Sequence, residues 1–230
     1  ELLLAIANLL PGSVLRSAHL IGVETDLPAL DEARRRLADL PVESLALEHL
    51  DFLEFCKENR SQLTLFGLPY QYSLGKPVDI VIANPPYVRT QILGTSKAQE
   101  LAEAFGLSGR VDLYHAFLIG MTERLAPGGY LGVITSNRFL STQAGTSVRA
   151  YLSSHYDIIE IIDLGDTKLF DAAVLPSVFI GRRREGRHVE LTQRSRFIRV
   201  YEQASGEAGV MASSLFDALR LEKTGTYSVE

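Results

Sequence analysis

Apolar positions in this 230-residue chain fall into short continuous runs separated by segments with a helical period. HLIGVE (19–24), SLALEHLDF (44–52), VDIVIANPPY (78–87), YLGVITS (130–136), DIIEIID (157–163) and VLPSVFIGR (174–182) are the strand-length runs. Apolar throughout and rich in Val, Ile and Leu, they fit strands covered on both faces. Helical spacing fills 1–10, 27–39, 112–125 and 144–154, and DFLEFCKEN opens a further short helix. Asp26 stands where an N-cap belongs, with Pro28 in the first turn behind it. Residues 88–111 read as a loop. Alternating strands and helices predict an α/β, doubly wound sheet, mostly parallel. The connection GDTKLFDAA is too short for a parallel crossover, so the last two strands are expected to pair antiparallel. Residues 185–230 lose the rhythm: a strand over 188–201, a Gly/Ala/Ser-rich linker at 204–210, then a helix fragment at 213–222. The chain therefore divides into a core, 1–184, and a C-terminal extension or linker, 185–230.

Composition narrows the classes. A hydrophobic content of 46% suits an ordinary globular protein. No apolar run approaches the ~20 residues that a spanning helix requires, so no membrane is expected. ELLLAIANLLPG lacks a basic leading region and a small-residue cleavage site, and reads as the tail of a helix that began upstream. The single cysteine, Cys56, excludes an intrachain disulfide, suits a reducing, cytoplasmic compartment, and is expected to act as a small buried hydrophobe. No metal-ligand cluster stands out. A net charge of −5 disfavours a nucleic-acid partner, since phosphates favour a basic surface. Residues 181–200 nevertheless carry seven arginines against two glutamates, a stripe that could meet phosphates or simply be a solvated edge.

The segment with chemistry in it is Asn84-Pro85-Pro86-Tyr87, at the carboxyl end of the most continuous apolar strand. In open α/β sheets ligands bind at that edge. Each proline holds the residue before it out of the helical region and lacks an N–H, so the tetrapeptide leaves the sheet as a stiff ledge. Such a ledge offers a side-chain amide, a free carbonyl and an aromatic ring. Those are the parts that hold an exocyclic amine: two acceptors for its two N–H groups and a stacking face for the ring. Taken alone the tetrapeptide could equally be a strand terminator with Tyr87 filling a gap.

Asn-Pro-Pro-Tyr after an apolar strand resembles the catalytic motif of amino-group methyltransferases with the class I S-adenosylmethionine fold. The flanking segments follow that family's order. Glu24, closing HLIGVE, matches the acid that grips the cofactor ribose; Asp51-Phe52 matches the pair at the cofactor adenine. GRVDLYHAFLIGMTERLAPGGYLGVITSNRFL (109–140) and DLGDTKLFDAAVLPSVFIGRRR (163–184) are closest to the gamma-ordered DNA adenine-N6 enzymes, the TaqI-like and Eco57I-like (type IIG restriction-modification) group. The resemblance implies S-adenosylmethionine as cofactor and a flipped adenine of double-stranded DNA as target. Asn84, Pro85, Pro86 and Tyr87 would be catalytic, with Asn84 also near the cofactor. Tyr87 and Phe170 would sandwich the base, and Asp112 would support the site. A nuclease or specificity domain in the same polypeptide is a further expectation, with 185–230 leading toward target recognition.

One departure stands out. The family's glycine-rich turn after its first strand, which approaches the cofactor through backbone N–H groups, has no counterpart before Glu24. The expectation is that the first strand and this loop are missing from the chain as given. Two other readings stay open: a protein glutamine-N5 methyltransferase, which uses the same tetrapeptide, and a non-catalytic DNA-binding module.

Overall fold

A computed structural model of the chain describes residues 1–65, 76–86, 95–107, 113–165, 175–186, 194–202 and 227–229. Helices α1 (Leu2–Leu9) and α2 (Gly12–Arg16) lead into strand β1 (His19–Glu24), and α3 (Leu27–Leu37) connects it to β2 (Ser44–His49). Asp26 caps α3, its Oδ1 accepting the Ala29 N–H at 2.9 Å. β1 and β2 pair in parallel, from His19 opposite Ser44 to Glu24 opposite His49. β2 stops short of the expected Phe52 because Asp51 turns away to cap α4 (Phe52–Leu65), accepting from Leu53 and Glu54 N–H at 2.8 and 3.2 Å.

The second sheet has the order β3-β4-β6-β5-β7-β8. Its strands are β3 (Val78–Ala83), β4 (Leu125–Ser136), β5 (Tyr156–Asp163), β6 (Pro176–Arg183), β7 (Arg196–Glu202) and β8 (Tyr227–Val229). β3 is parallel to β4 and β7 to β5, whereas β6 runs antiparallel to both its neighbours. The expected antiparallel pairing of β5 with β6 is present, but β6 lies inside the sheet, slotted between β4 and β5. β7 adds to the far edge, so the sheet continues past residue 184. The strand expected at 188–201 is present from Arg196; the linker at 204–210 and the helix fragment at 213–222 lie outside the described residues. β1 and β3 are not hydrogen-bonded to each other among the described residues, which leaves the sheet in two pieces.

Helices α5 (Thr95–Phe105), α6 (Leu113–Arg124), α7 (Arg138–Ser141) and α8 (Thr146–His155) complete the chain, with a 3-10 turn at Gln143–Gly145. α5 occupies much of what the sequence suggested was loop. Its apolar signal is thin, Leu101 and Phe105 four apart, yet both are buried. α6 is buried over nearly its whole length and separates two core clusters. One joins Leu118, Leu131, Val133, Tyr156 and Phe179. The other joins Leu53, Cys56, Leu101, Phe105 and Ile119, with Ile21 and Val23 of β1 packed against it. The two sheet pieces are thus tied through a shared helical layer. Packing there is close: a Cβ on Gly120 of α6 would stand 2.9 Å from the Cys56 Sγ of α4. Cys56 is the small buried hydrophobe expected, 2% exposed.

One buried polar pair belongs to this core. Thr122 Oγ1 donates to the Leu118 carbonyl at 2.6 Å, so the fully buried Tyr156 hydroxyl donates to Thr122 at 2.7 Å. Burial pushes the Tyr156 hydroxyl up to about 12.

Candidate active site

Within each sheet piece the parallel strands end at a common edge, and the chemistry-bearing side chains follow those ends. Asn84 stands one residue past β3 and is exposed; Pro85 is buried and anchors the ledge, and Pro86 is exposed. Ala83 lies level with Val133 of β4. β4 therefore runs a few residues beyond the ledge, ~3.3 Å per residue, before it turns at Asn137. Tyr87, Asp112 and Phe170 lie outside the described residues.

Glu24 closes β1 with an exposed carboxylate. Its Oε1 accepts the N–H groups of Thr25 and Asp26 at 2.8 and 2.9 Å, which fixes the turn into α3. The second oxygen has no partner among the described residues. Asp51 is held the same way, one oxygen spent on the α4 cap. A carboxylate pinned by one oxygen and open at the other is a preorganised acceptor for hydroxyl or amine donors. Phe52, next in sequence, is half-buried and stacks on Phe117 of α6, centroids 5.8 Å apart. Both carboxylates therefore offer an acceptor oxygen, and Asp51 and Phe52 also serve the fold.

Sequence reasoning missed a second feature of this edge. Asp163, ending β5, accepts the Asn137 side-chain amide at 3.0 Å and the Gly165 N–H at 3.2 Å, both at Oδ1. Its Oδ2 lies 3.6 Å from Arg199 of β7. The Asn137 N–H donates to the Leu175 carbonyl at 2.8 Å, and the Leu164 N–H to the Pro176 carbonyl at 3.1 Å. One carboxylate therefore links the ends of β4 and β5 to the middle of β7, and backbone bonds bring in the start of β6. The signal was present in DIIEIID: an acid closing an apolar strand needs partners.

The arginine stripe is largely neutralised. Arg184 pairs with Asp157 at 2.8 Å, Arg196 with Glu160 at 3.3 Å and Arg182 with Glu185 at 2.8 Å, while Arg183 donates to the Leu125 carbonyl. Three of these are cross-strand or strand-end contacts, so the stripe behaves mainly as a matched edge of the sheet. Among the described residues no helix is long and apolar enough to cross a membrane. None of their His, Cys, Asp and Glu side chains form a group of three able to hold a metal.

A helical layer over a mostly parallel sheet is the arrangement of the class I methyltransferase fold. Solved structures agree on the fold. A class I S-adenosylmethionine-dependent methyltransferase of Listeria monocytogenes superposes with a TM-score of 0.55 at 22% identity, over 79% of this chain and 49% of its own. A modification subunit of a type I restriction enzyme from Vibrio vulnificus gives 0.57 at 15% identity, over 95% and 44%. The model of the Eco57I restriction-modification methylase family matches residues 24–170, and the chain belongs to that family. It is 42% identical to the type II methyltransferase M.BanIII of Aneurinibacillus aneurinilyticus across all of this chain. It is 28% identical to the restriction enzyme and methyltransferase RM.Eco57I of Escherichia coli over 40% of this chain. The chain spans 40% of the length of M.BanIII, and the aligned stretch covers 10% of RM.Eco57I.

Proposed function

We propose that the full-length protein transfers a methyl group from S-adenosylmethionine to the N6 amine of an adenine in double-stranded DNA, as the modification activity of a restriction-modification or phage-defence system. The observation that carries this reading is Asn84, exposed at the carboxyl end of β3 on a buried proline, in a chain of a methylase family. Residues 1–184 are the catalytic core in this reading, and 185–230 lead toward target recognition. A nuclease or specificity domain would lie elsewhere in the same polypeptide.

S-adenosylmethionine, when bound, supplies an electrophilic methyl on a sulfonium centre. The open carboxylate oxygens of Glu24 and Asp51 would hold its ribose hydroxyls and adenine amine. Asn84 Oδ1 and the Pro85 carbonyl each accept one N–H of the target amine. That pairing turns the nitrogen lone pair, otherwise delocalised into the ring, toward the methyl, and stabilises the positive charge that grows on nitrogen. The new N–C bond forms as the S–C bond breaks, and the surplus proton leaves to water because the methylated ammonium is a strong acid. No strong base is required, and positioning supplies much of the remaining rate. The target base must leave the duplex, at a few kcal/mol. Tyr87 and Phe170 are its two stacking faces, each worth ~1–3 kcal/mol, and Asp112 supports the site.

The test is product identity. Full-length protein, isotopically labelled S-adenosylmethionine and plasmid DNA are incubated, and the DNA is digested to nucleosides. Label in N6-methyldeoxyadenosine is the expected result. Label recovered in protein glutamine selects the glutamine-N5 reading, and absence of cofactor binding selects the non-catalytic module.

A further inference from the structure

An acidic chain that binds DNA must place its free cations deliberately, and the arginine stripe is mostly spent on ion pairs. Arg138 is different. It is exposed, and no acidic partner faces it among the described residues. It follows Asn137 at the end of β4, on the same edge as Asn84. From Arg124 through Tyr156 the sequence contains no Asp or Glu, although acids outnumber basic residues in the whole chain. The segment that crosses the candidate active-site edge is therefore its least negative stretch.

The backbone under Arg138 is held from several sides. Asn137 is tied to Asp163 and to Leu175. The Arg138 carbonyl accepts the Thr142 N–H at 3.1 Å and the Thr142 hydroxyl at 2.7 Å. Arg149 of α8 reaches back to donate to the Phe139 and Thr142 carbonyls at 2.6 and 3.0 Å, and to Thr146 Oγ1 at 3.0 Å. Phe139 is buried, 2% exposed, and Gly145 lies so close that a Cβ there would stand 2.5 Å from the Phe139 backbone. This is a rigid platform whose outer face shows Arg138, Ser141 and Gln143, all exposed. Arginine, serine and glutamine are side chains that commonly meet phosphate oxygens, and such contacts fix register on a duplex without reading sequence.

We infer that the Asn137–Thr146 platform seats the DNA backbone beside the target adenine, with Arg138 on a phosphodiester. The inference rests on the DNA-methyltransferase reading above and adds a positioning contact to it. Arginine suits the role because its planar fork matches phosphate bidentately.

The experiment is a salt series of DNA affinity for full-length wild type, Arg138→Gln, Arg138→Lys and Arg194→Gln, on duplex carrying the methylated site sequence. Each phosphate contact contributes about 0.9 to the slope of log affinity against log salt. Arg138→Gln should lower that slope by about 0.9 and raise the KM for DNA more than it lowers kcat, and Arg138→Lys should restore most of the slope. Arg194, also exposed and with no ion pair among the described residues, precedes β7 at the opposite edge of the sheet, so Arg194→Gln should leave the slope in place. An unchanged slope for Arg138→Gln overturns the proposal, as does a slope change for Arg194→Gln alone, which would return the DNA face to the stripe. A drop in kcat at constant slope also overturns it, since that marks a structural role. Wild type that binds DNA with the expected slope but labels no adenine defeats the methyltransferase reading and leaves the contact standing.

Discussion

Replacing Asp163 with alanine removes a carboxylate that links the ends of β4 and β5 to the middle of β7. Two charge-assisted bonds are lost at Oδ1, from Asn137 and from Gly165. Hydrogen bonds to a charged group contribute about 1.5–3 kcal/mol each. Both are longer than ideal, so the lower end applies, giving about 3 kcal/mol for the pair. Arg199 adds little: its side chain is 45% exposed and the pair is 3.6 Å apart. Pairs that open to solvent contribute roughly 0–1 kcal/mol. Asp163→Ala should therefore cost about 3 kcal/mol in urea denaturation, Asp163→Asn about half of that, because an amide oxygen still accepts, and Arg199→Gln less than 1. The discriminating quantity is the ratio. An Asp163→Ala loss no larger than that of Arg199→Gln would show that the carboxylate is merely a surface partner for arginine, and the account of the edge as a tied structure would be wrong.

Two further outcomes follow from the packing. Tyr156, held up to about 12 against an ordinary 10.0, stays protonated in the fold at pH values where the unfolded chain has lost the proton. Its contribution is complete below pH 10 and disappears as pH rises toward 12, on the order of 2–3 kcal/mol in all; Tyr156→Phe should flatten that limb of a stability-against-pH curve, and a wild-type curve already flat from 10 to 12 would refute it. Gly145→Ala places a methyl against the Phe139 backbone, which cannot yield cheaply, so a loss of about 1–3 kcal/mol is expected by thermal or chemical denaturation, and an unaffected midpoint would mean that the platform relaxes.

Much of this fold was legible because apolar runs mark buried strands without reference to partners. HLIGVE became β1 residue for residue, and VDIVIA ended where Asn84-Pro85 ends it. Capping chemistry was equally local, so Asp26 was found correctly. The misses share a cause in tertiary context. β6 sits between β4 and β5 because a strand returning antiparallel can take either side of its predecessor, and no local pattern chooses. α5 was overlooked because only Leu101 and Phe105 carry its apolar face, and their value depends on α4 and α6 being there to bury them. The turn Asn137–Gly145 holds its shape through Arg149 and Asp163, contacts that cross ten and twenty-six residues of sequence. Of the suggested site residues, Glu24 closes β1, Asp51 caps the helix that follows β2, and Asn84 stands one residue past β3. Asp51 also carried the mark of a helix cap, a common role for Asp, whereas the bonds from Thr25 and Asp26 to the Glu24 carboxylate were not readable beforehand.

The central claim is that Asn84 acts on the amine as it becomes methylated. Asn84→Ala in the full-length protein, followed by single-turnover methylation of duplex DNA with cofactor and DNA affinities measured alongside, addresses it directly. Interactions made in the transition state reduce kcat when they are lost, so the rate should fall by more than about 100-fold, roughly 2.7 kcal/mol, with both affinities close to wild type. A variant that methylates within tenfold of wild type, about 1.4 kcal/mol, would contradict the account.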